Sequence, residues 1–401
     1  NSIHNILELV YGKEQGQIIL AYNKFRPLLK NNIKFDYENE MDKLGKHFKI
    51  EKNKDYAFKS DTGTGKTTIT KKYLKDTKQK FISIVSRRTL AYEQYKTFCD
   101  DELDAIYYEN YNGEYIPEDK NIVIQIDSLM KITHYLKDIS KYVVFLDEYS
   151  SLMEHLIVCP TMKNTRTLII KRFMKIIRNC KQLIVADADL TDYTLELLTY
   201  LGRDIFKVNN TYKHNKNVIA QEYFDLTEII TEMKTKTKFM VCCDSKSLAI
   251  QLLNDHFSDI EIESVNDKEI VVNGEVVNKY SIMIGKDELG VVVCITSDND
   301  SFINLDDYDR VIFSPKIIYG LDSQLEREVF CLYKEYTISP KSMVQQVART
   351  RNIVKLHYIF FKKSFECPKF MDLEDIEEET KNLLEIKNWE EDLEEEDLNF
   401  F

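Results

Sequence analysis

The chain is 401 residues long and 43% of its residues are hydrophobic, so it can bury a substantial core and is long enough for two or three domains. No run approaches the roughly 18 consecutive apolar residues that a membrane span needs, and the N-terminus lacks the pattern of a secretory signal. We therefore expect a soluble intracellular protein. Because the chain begins at Asn1, we also expect a processed product or a piece of a longer chain.

The net charge of −12 is concentrated at one end of the chain. Residues 366–401 contain 15 acidic and 3 basic side chains, whereas residues 1–365 contain 52 of each sign. The body is therefore neutral and can present local basic surface to a nucleic acid. The eight cysteines form no Cys-x-x-Cys pair, which indicates reduced, buried thiols and argues against a zinc site or a disulfide framework.

Residues 1–50 place apolar side chains at helical spacing among many lysines and asparagines. This pattern predicts a small helical segment, which serves as a cap or as a linker to an upstream domain, rather than a functional site.

A phosphate-binding loop is predicted at residues 60–68, between a strand-like run and an apolar helical pattern. Its glycines permit the tight turn that points backbone N–H groups at phosphate oxygens in front of a helix N-terminus. Lys66 is expected to reach the β- and γ-phosphates and to act in catalysis, and Thr67 to ligate Mg²⁺. Ser60 stands where the full pattern has Gly. The predicted nucleotide-binding residues are Thr62, Gly63, Thr64, Gly65, Lys66, Thr67 and Thr68.

Strand-like and helix-like runs alternate from residue 56 to residue 208, which is typical of a parallel sheet with crossover helices. Most of the strands are continuous apolar runs, as expected when both faces of the sheet are covered. They are predicted at residues 56–59, 81–85, 121–126, 142–146 and 182–186. Ligands collect beyond the carboxyl ends of such strands, so the polar residues there are candidates for a site.

Asp147 and Glu148 directly follow the apolar run 142–146. Two adjacent carboxylates at the end of a buried strand suit metal-assisted phosphoryl transfer, with Asp147 holding Mg²⁺ and Glu148 orienting and deprotonating the attacking water. A plain strand end or helix cap is the alternative. Asp187, at the end of the fifth strand, is placed to sense the γ-phosphate, with a helix N-cap at Asp189 or Thr191 as the alternative interpretation of this segment.

Polar residues after the second and third strands are candidates for contact with nucleic acid. Arg87 and Arg88 suit a clamp on the phosphate backbone because guanidinium donors match phosphate oxygens, with a solvated helix start as the alternative. Ser128 occupies the corresponding place after the third strand.

A second alternating series follows residues 209–217, which are polar and predict a linker between two lobes. Its strands are predicted at residues 217–224, 239–243, 291–295 and 310–313. Asn273 and Gly274, between two Val-Val pairs, predict a two-residue hairpin. No phosphate loop recurs in this lobe.

Arg349 and Arg351, two of only eleven arginines, lie two residues apart in the segment 345–351. Arginine is needed where a planar donor fork must grip a phosphate. If the segment starts a helix, Gln345 and Arg349 share one face and can close over a nucleotide. Ordinary ion pairs are the alternative.

The order of these elements resembles superfamily-two helicases, most closely the helicase region of herpesvirus-type origin-binding proteins and their relatives in large DNA viruses. The motifs that carry the resemblance are residues 62–67 for motif I, 86–88 for motif Ia, 147–150 for the DExx motif, 186–189 for motif III, 241–245 for motif IV, Ser314, Pro315 and Gly320 for motif V, and 345–351 for motif VI. Ala348 stands where many helicases have Gly, and no adenine-reading glutamine motif precedes Ser60. ATP is therefore preferred over GTP by family analogy alone.

The resemblance implies an α/β fold with two RecA-like lobes and mostly parallel sheets, at residues 51–212 and 213–365. The N-terminal helical segment 1–50 and the acidic segment 366–401 flank them. The apolar residues of 366–401 recur at near-helical spacing, which predicts an amphipathic helix, with a solvated acidic tail as the alternative.

The resemblance also implies ATP and Mg²⁺ as cofactors, single-stranded or forked DNA as the partner, and a catalytic contribution from Gln345, Arg349 and Arg351. We therefore predict the helicase or translocase core of a viral or mobile-element replication protein, working with other replication proteins or an upstream domain and without a membrane. The expected site of action is the nucleus or a cytoplasmic viral replication site. Two alternatives stay open: an ATPase for assembly or packaging, and a module whose nucleotide only locks its hold on an origin or a partner protein.

Overall fold

The computed structural model describes residues 33–111, 116–117, 119–162, 164–272, 275–296, 304–315, 322–334, 338 and 340–361. The chain divides into two compact units, the first ending at Tyr212 and the second beginning at Lys213. The amphipathic segment predicted at residues 366–401 lies outside the described residues. The division of the protein into four functional parts stays a prediction.

Within the described residues, the first unit is built on a sheet of eight strands in which every neighbouring pair is parallel. The strands are β1 (Tyr37–Asn39), β2 (Asp55–Ser60), β3 (Lys80–Val85), β4 (Ala105–Tyr107), β5 (Asn121–Gln125), β6 (Tyr142–Asp147), β7 (Gln182–Asp187) and β8 (Ile205–Asn210). Their order across the sheet is β1-β8-β2-β7-β6-β3-β5-β4. The strand that leads into the phosphate loop and the strand that ends in Asp147 therefore flank β7.

Helices cover this sheet, and the residues of its central strands β6 and β7 are all buried. The helices are α1 (Leu44–His47), α2 (Lys66–Thr77), α3 (Arg88–Asp100), α4 (Tyr149–Val158), α5 (Arg166–Asn179) and α6 (Asp192–Tyr200), with 3-10 turns at Tyr108–Tyr111, Ile126–Lys137, Ile139–Lys141 and Pro160–Met162. On α5, Ile169, Phe173 and Ile177 recur at four-residue spacing and are buried, so one face of that helix packs on the core. The five strands predicted for this unit are confirmed to within one residue at each end.

The N-terminal segment differs from the predicted helical cap over its described part. Tyr37–Asn39 forms β1, which pairs with β8 at the edge of the sheet, and the helix α1 that follows is four residues long. Phe48 packs its ring against those of Tyr56 and Phe58, at centroid distances of 5.7 and 5.6 Å. This aromatic contact explains why the segment lies against the sheet.

The second unit, taken by itself, also holds an eight-stranded sheet within its described residues. Its strands are β9 (Ala220–Glu222), β10 (Phe239–Cys243), β11 (Ser258–Val272), β12 (Glu275–Asp287), β13 (Gly290–Ile295), β14 (Arg310–Phe313), β15 (Ser323–Lys334) and β16 (Thr350–Phe361), in the order β11-β12-β13-β14-β10-β15-β16-β9. Its helices are α7 (Leu226–Lys234), α8 (Lys246–His256) and α9 (Pro340–Val347), with a 3-10 turn at Leu305–Asp307. The pairs β11-β12 and β12-β13 are antiparallel, and the other pairs are parallel.

Alternate residues of β10 face two separate apolar layers. Phe239, Val241 and Cys243 lie in one layer, and Met240 and Cys242 lie in the other. Both faces of this central strand are therefore covered, as its continuous apolar run predicts. The predicted hairpin is confirmed by the pairing of β11 with β12, although its two turn residues lie outside the described residues. The α/β fold class with mostly parallel sheets is confirmed.

Seven cysteines fall in the described part of the chain, and all are free thiols. Five of them are buried, and burial raises the pKa of the Cys180 thiol to about 12. Cys99 is exposed and Cys159 is partly exposed, so the prediction of buried thiols is wrong for these two. Within the same residues, no helix combines the length and apolar character needed to cross a bilayer.

Candidate functional site

The phosphate loop connects the end of β2 to the start of α2, as predicted. Gly63 and Gly65 have φ angles of 74° and 88°, in the left-handed region that residues other than Gly rarely adopt. A Cβ atom added at Gly65 would lie 3.8 Å from the nearest atom, the Cβ of Thr68, so the constraint there is conformation rather than space. The two glycines shape the loop in front of the N-terminus of α2, where backbone N–H groups can bind an anion.

Lys66, the first residue of α2, folds its side chain back over the loop. Its Nζ donates hydrogen bonds to the carbonyl oxygens of Ser60 and Asp61, at 2.7 and 3.0 Å, and the residue is 7% exposed. The ammonium group is therefore held at the loop by backbone acceptors. Such a charge suits the predicted contact with the outer phosphates of a nucleotide.

Ser60, which replaces the first Gly of the full pattern, is buried in a hydrogen-bond network behind the loop. Its Oγ lies 2.6 Å from Thr64 Oγ1 and accepts from Asn210 Nδ2 at 2.9 Å. The same Asn210 amide bonds the backbone N–H and carbonyl of Met41, and the N–H of Leu44 donates to the carbonyl of Thr64. The loop is thus fastened to β8 and to the N-terminal segment, and the serine has a structural role there.

Thr67, in the first turn of α2, and Asp147, at the carboxyl end of β6, are in contact. Thr67 Oγ1 donates to Asp147 Oδ2 at 2.9 Å, although the residues are 80 positions apart in the chain. Gln94 of α3 donates to the same oxygen at 2.7 Å, and the N–H of Glu148 donates to Oδ1 at 3.1 Å. Burial raises the pKa of the Asp147 carboxyl, against the lowering effect of the Lys66 charge and of these hydrogen bonds. A hydroxyl and a carboxylate in contact form a donor set of the hard oxygen type that Mg²⁺ prefers.

Glu148 is the N-cap residue of α4 and has φ 51° and ψ 51°. This left-handed conformation is uncommon for a residue with a long side chain and costs about 1–3 kcal/mol, a cost found most often at functional sites. The side chain is 8% exposed. The strained turn places the second carboxylate of the motif immediately beyond the end of β6.

Asp187 ends β7 and is fully buried. One of its oxygens accepts from the N–H of Asp189 at 2.7 Å, and the other accepts from the N–H of Ser150 in the first turn of α4. The carboxylate thus caps the helix that begins at Glu148, while Thr191 caps α6 with a reciprocal capping box. The role in sensing the γ-phosphate stays a prediction.

The residues predicted to contact nucleic acid lie on the same unit. Arg87 is the N-cap residue of α3 and is partly buried, and Arg88 forms an ion pair with Glu109 at 2.6 Å. Ser128 is partly buried within the 3-10 turn Ile126–Lys137. The start of a helix, one of the two alternatives for the arginines, describes their place in the fold. Contact with nucleic acid stays a prediction for all three.

Arg349 and Arg351, in the second unit, share one carboxylate. Arg349 Nη1 lies 2.9 Å from Asp322 Oδ1, and Arg351 contacts the other oxygen of Asp322 through Nη2 and, at 3.1 Å, through Nε. The segment 345–351 does not start a helix, because α9 ends at Val347 and β16 begins at Thr350. Arg349 Nε still reaches back to the carbonyl of Gln345 at 3.3 Å, so the i, i+4 pair does meet, through the backbone of Gln345.

The sequence prediction missed Gln94, Asn210 and Asp322. Each is a single polar residue outside a recognisable motif, and each meets its partner only in the folded chain. The Gly-Leu-Asp sequence that ends at Asp322 was the one available signal, since it lies just after the predicted motif V.

The sequence of residues 56–270, more than half of the chain, matches the family described as origin of replication binding protein. The chain belongs to this family. The predicted resemblance is therefore confirmed, and the matched segment includes the phosphate loop and both carboxylates of the DExx motif.

Two viral relatives cover a larger part of the chain. It is 28% identical over 332 residues to the "Uncharacterized putative helicase R8" of Acanthamoeba polyphaga mimivirus, covering 76% of this chain and 29% of that protein. It is 27% identical over 319 residues to the "Putative replication origin-binding protein" of the same virus, covering 76% of this chain and 37% of that protein. The chain therefore spans about a third of the length of these relatives.

Two solved structures are also similar to this chain. Dbp5 of S. cerevisiae bound to RNA and ADP BeF3 is 12% identical, with a TM-score of 0.46 and coverage of 85% of this chain and 84% of that chain. The helicase Lhr of Mycobacterium smegmatis bound to ssDNA and AMP-PNP is 11% identical, with a TM-score of 0.47 and coverage of 78% and 44%.

Proposed function

We propose that this chain is the nucleic-acid-dependent ATPase core of a viral replication protein, with helicase or translocase activity on DNA. The observation that carries the proposal is the contact of Thr67 with Asp147, with Lys66 and Glu148 beside them at one edge of a parallel sheet. This set supplies a phosphate-binding loop, a metal-binding pair and a second carboxylate. Family membership and the names of the viral relatives support a role in replication.

The residues present fit a nucleotide and Mg²⁺. The left-handed glycines leave the backbone of the loop uncovered, and the ammonium of Lys66 is held over it. Thr67 and Asp147 would hold Mg²⁺. Burial raises the pKa of the Asp147 carboxyl because it disfavours the ionised form, and a bound cation would stabilise that form. Bound Mg²⁺ would supply charge neutralisation on the phosphates.

Glu148 is the candidate general base in this proposal. Its carboxylate is set beyond the end of β6 by a backbone turn that costs energy, and its neighbour Asp147 is already committed to Thr67 and Gln94. The two adjacent carboxylates would therefore have different roles: Asp147 would bind the metal, and Glu148 would orient and deprotonate water.

We further propose that Arg349 and Arg351 supply positive charge during turnover, with Gln345 in support. In the structure, both guanidinium groups are neutralised by Asp322. At least one of these contacts must therefore loosen before the arginine can serve a phosphoryl group. The Arg349 side chain is buried and that of Arg351 is partly buried, which distinguishes them from ordinary solvent-exposed ion pairs.

The nucleic acid is proposed to be single-stranded or forked DNA, and contacts through Arg87, Arg88 and Ser128 belong to this proposal. DNA is favoured over RNA because the family is described by origins of replication. Other replication proteins, or further domains of a longer chain, would complete the activity, and the nucleus or a cytoplasmic viral replication site would be its location.

Measurement of ATP hydrolysis with and without single-stranded DNA tests the proposal. We expect turnover that DNA stimulates, and the Glu148→Gln variant should bind nucleotide and hydrolyse it slowly. An ATP hydrolysis rate that is the same with and without DNA would favour an assembly or packaging ATPase. Nucleotide binding without hydrolysis would favour a module that uses nucleotide only to lock its hold on an origin or partner.

A further inference from the structure

A cluster of three side chains of the types that bind metals lies at the C-terminal end of α4. His155 is on the last turns of α4, Cys159 is its C-cap residue, and Asp127 is in the 3-10 turn that follows β5. With a rise of about 1.5 Å per residue, His155 lies about 10 Å and Cys159 about 16 Å along the helix from Glu148. None of the three residues belongs to the proposed ATPase site.

The geometry brings three different donor atoms together. His155 Nε2 lies 2.6 Å from Asp127 Oδ1, and the donor atoms of the imidazole, the carboxylate and the Cys159 thiol all lie within 4.8 Å of one another. His155 and Cys159 are four residues apart, so they share one face of the helix end. The side chains of Asp127 and His155 are 20% and 18% exposed, which leaves a route for an ion.

We propose that Asp127, His155 and Cys159 form a zinc-type transition-metal site that fastens the C-terminal end of α4 to the segment after β5. Nitrogen, sulfur and oxygen ligands at about 2.0–2.3 Å are those zinc takes in proteins, and tetrahedral geometry then separates ligand atoms by about 3.3–3.6 Å. The observed atoms need to move by about an ångström to reach that spacing. The absence of a Cys-x-x-Cys pair, which argued against a zinc site, has no bearing on a site that uses one thiolate.

The charges of this donor set balance a divalent cation. One carboxylate and one thiolate neutralise Zn²⁺, and the imidazole binds as the neutral ring. The fourth position falls to water or to the hydroxyl of Thr161, which donates to Asp127 Oδ2 at 2.6 Å and lies 3.0 Å from Cys159 Sγ.

The surrounding contacts orient these ligands. Arg166 Nη2 donates to the carbonyl of Cys159 at 2.5 Å and so fixes the turn that carries the thiol. Such outer contacts tune metal sites as much as the ligands themselves do. A second cluster, Glu232, Glu328 and His357, has a different character, since the Lys236 ammonium lies 2.7 and 3.2 Å from its two glutamates and already acts as their cation.

Cobalt binding tests the proposal without recourse to ATP hydrolysis. The chain, stripped of metal and kept reduced by a phosphine, is titrated with Co²⁺ and followed by absorption. We expect one equivalent to bind with the thiolate-to-cobalt band and the visible bands of a tetrahedral site, and Zn²⁺ to displace it. Cys99→Ser, at an exposed thiol elsewhere in the unit, is the matched control and should keep the spectrum.

Cys159→Ser is the deciding variant, since it is a mild change at a partly exposed position. It should lose the thiolate band and bind Co²⁺ about tenfold or more weakly, and Asp127→Asn should weaken binding while the band persists. Zn²⁺ should raise the melting temperature of the parent chain and of Cys99→Ser, but not of Cys159→Ser. An unchanged spectrum in Cys159→Ser, no thiolate band in the parent, or no rise in melting temperature would overturn the proposal. None of these outcomes depends on whether the chain hydrolyses ATP.

Discussion

The Gln94→Leu substitution tests the proposed Mg²⁺ site most directly. Gln94 is 3% exposed, its amide nitrogen donates to Asp147 Oδ2 at 2.7 Å, and its carbonyl oxygen accepts from Ser83 Oγ at 2.6 Å. It therefore orients the carboxylate through which the metal would bind. Leucine keeps the approximate volume and removes the hydrogen bond.

The size of the effect follows from the kind of bond that is lost. A hydrogen bond to a charged group contributes about 1.5–3 kcal/mol, and loss of an outer-shell partner of a metal ligand costs about 10–100-fold in metal affinity or activity. We expect the half-saturating Mg²⁺ concentration for ATP turnover to rise about 10–100-fold. Because the bond from Gln94 also lowers the pKa of Asp147, its loss should move the acid limb of the Mg²⁺ response to higher pH.

The assay is ATP turnover across a Mg²⁺ series at saturating DNA, and Ser83 supplies the controls. Gln94→Leu also leaves the buried Ser83 hydroxyl without its acceptor, at a cost of about 1–3 kcal/mol in folding stability. Ser83→Ala alone should leave the Mg²⁺ response near that of the parent chain. The double variant should recover stability but keep the weak Mg²⁺ response. An unchanged response in Gln94→Leu, or a normal one in the double variant, refutes the reasoning.

Further outcomes follow from the same geometry. Lys66→Ala should abolish turnover with the fold intact by circular dichroism, and normal turnover in this variant would exclude the proposed role of the ammonium. Asp147→Asn should abolish turnover yet raise the melting temperature of the metal-free chain at neutral pH. Burial raises the native pKa of Asp147 above 3.8, so the ionised carboxylate destabilises the fold of the parent chain. The gain in melting temperature should vanish as pH falls through that raised pKa. Arg349→Lys should lower kcat far more than nucleotide affinity, because lysine can still pair with Asp322 but lacks the donor fork; equal losses in both would identify Arg349 as a structural ion-pair residue.

Strands with a run of apolar residues could be predicted from sequence, including β14, which begins at the buried Arg310, whereas β15 and β16 were not predicted. β10 is a continuous apolar run, and β6 is apolar from Tyr142 to Leu146 before it ends in Asp147. β15 and β16 carry Arg327 and His357, both buried. Arg327 bonds the carbonyl of Leu305 at 2.7 Å, and His357 stacks on Phe330 at a centroid distance of 4.3 Å while bonding Glu328. Only the folded unit supplies these partners.

The same distinction holds within the candidate site. The phosphate loop is local, since its glycines and Lys66 act within a few residues of one another, and it could be predicted in detail. The start of α9 could have been predicted from Pro340, which is favoured as the first residue of a helix. Gln94 and Asn210 are separated from their partners by 53 and 150 positions, and no local pattern announces such pairs.

The three carboxylates at the edge of the first sheet differ in what the fold leaves them able to do. Asp187 has both oxygens occupied by backbone N–H groups, one of them at the N-terminus of α4, so its charge is already used to stabilise that helix. Asp147 accepts from Thr67, Gln94 and the next backbone N–H, and the last two bonds can remain while a metal replaces the Thr67 hydroxyl proton as its partner. Glu148 is positioned by the turn between these two groups. Its placement therefore depends on β6 through Asp147 and on β7 through the cap that Asp187 puts on α4, and a shift of either strand end moves the proposed base.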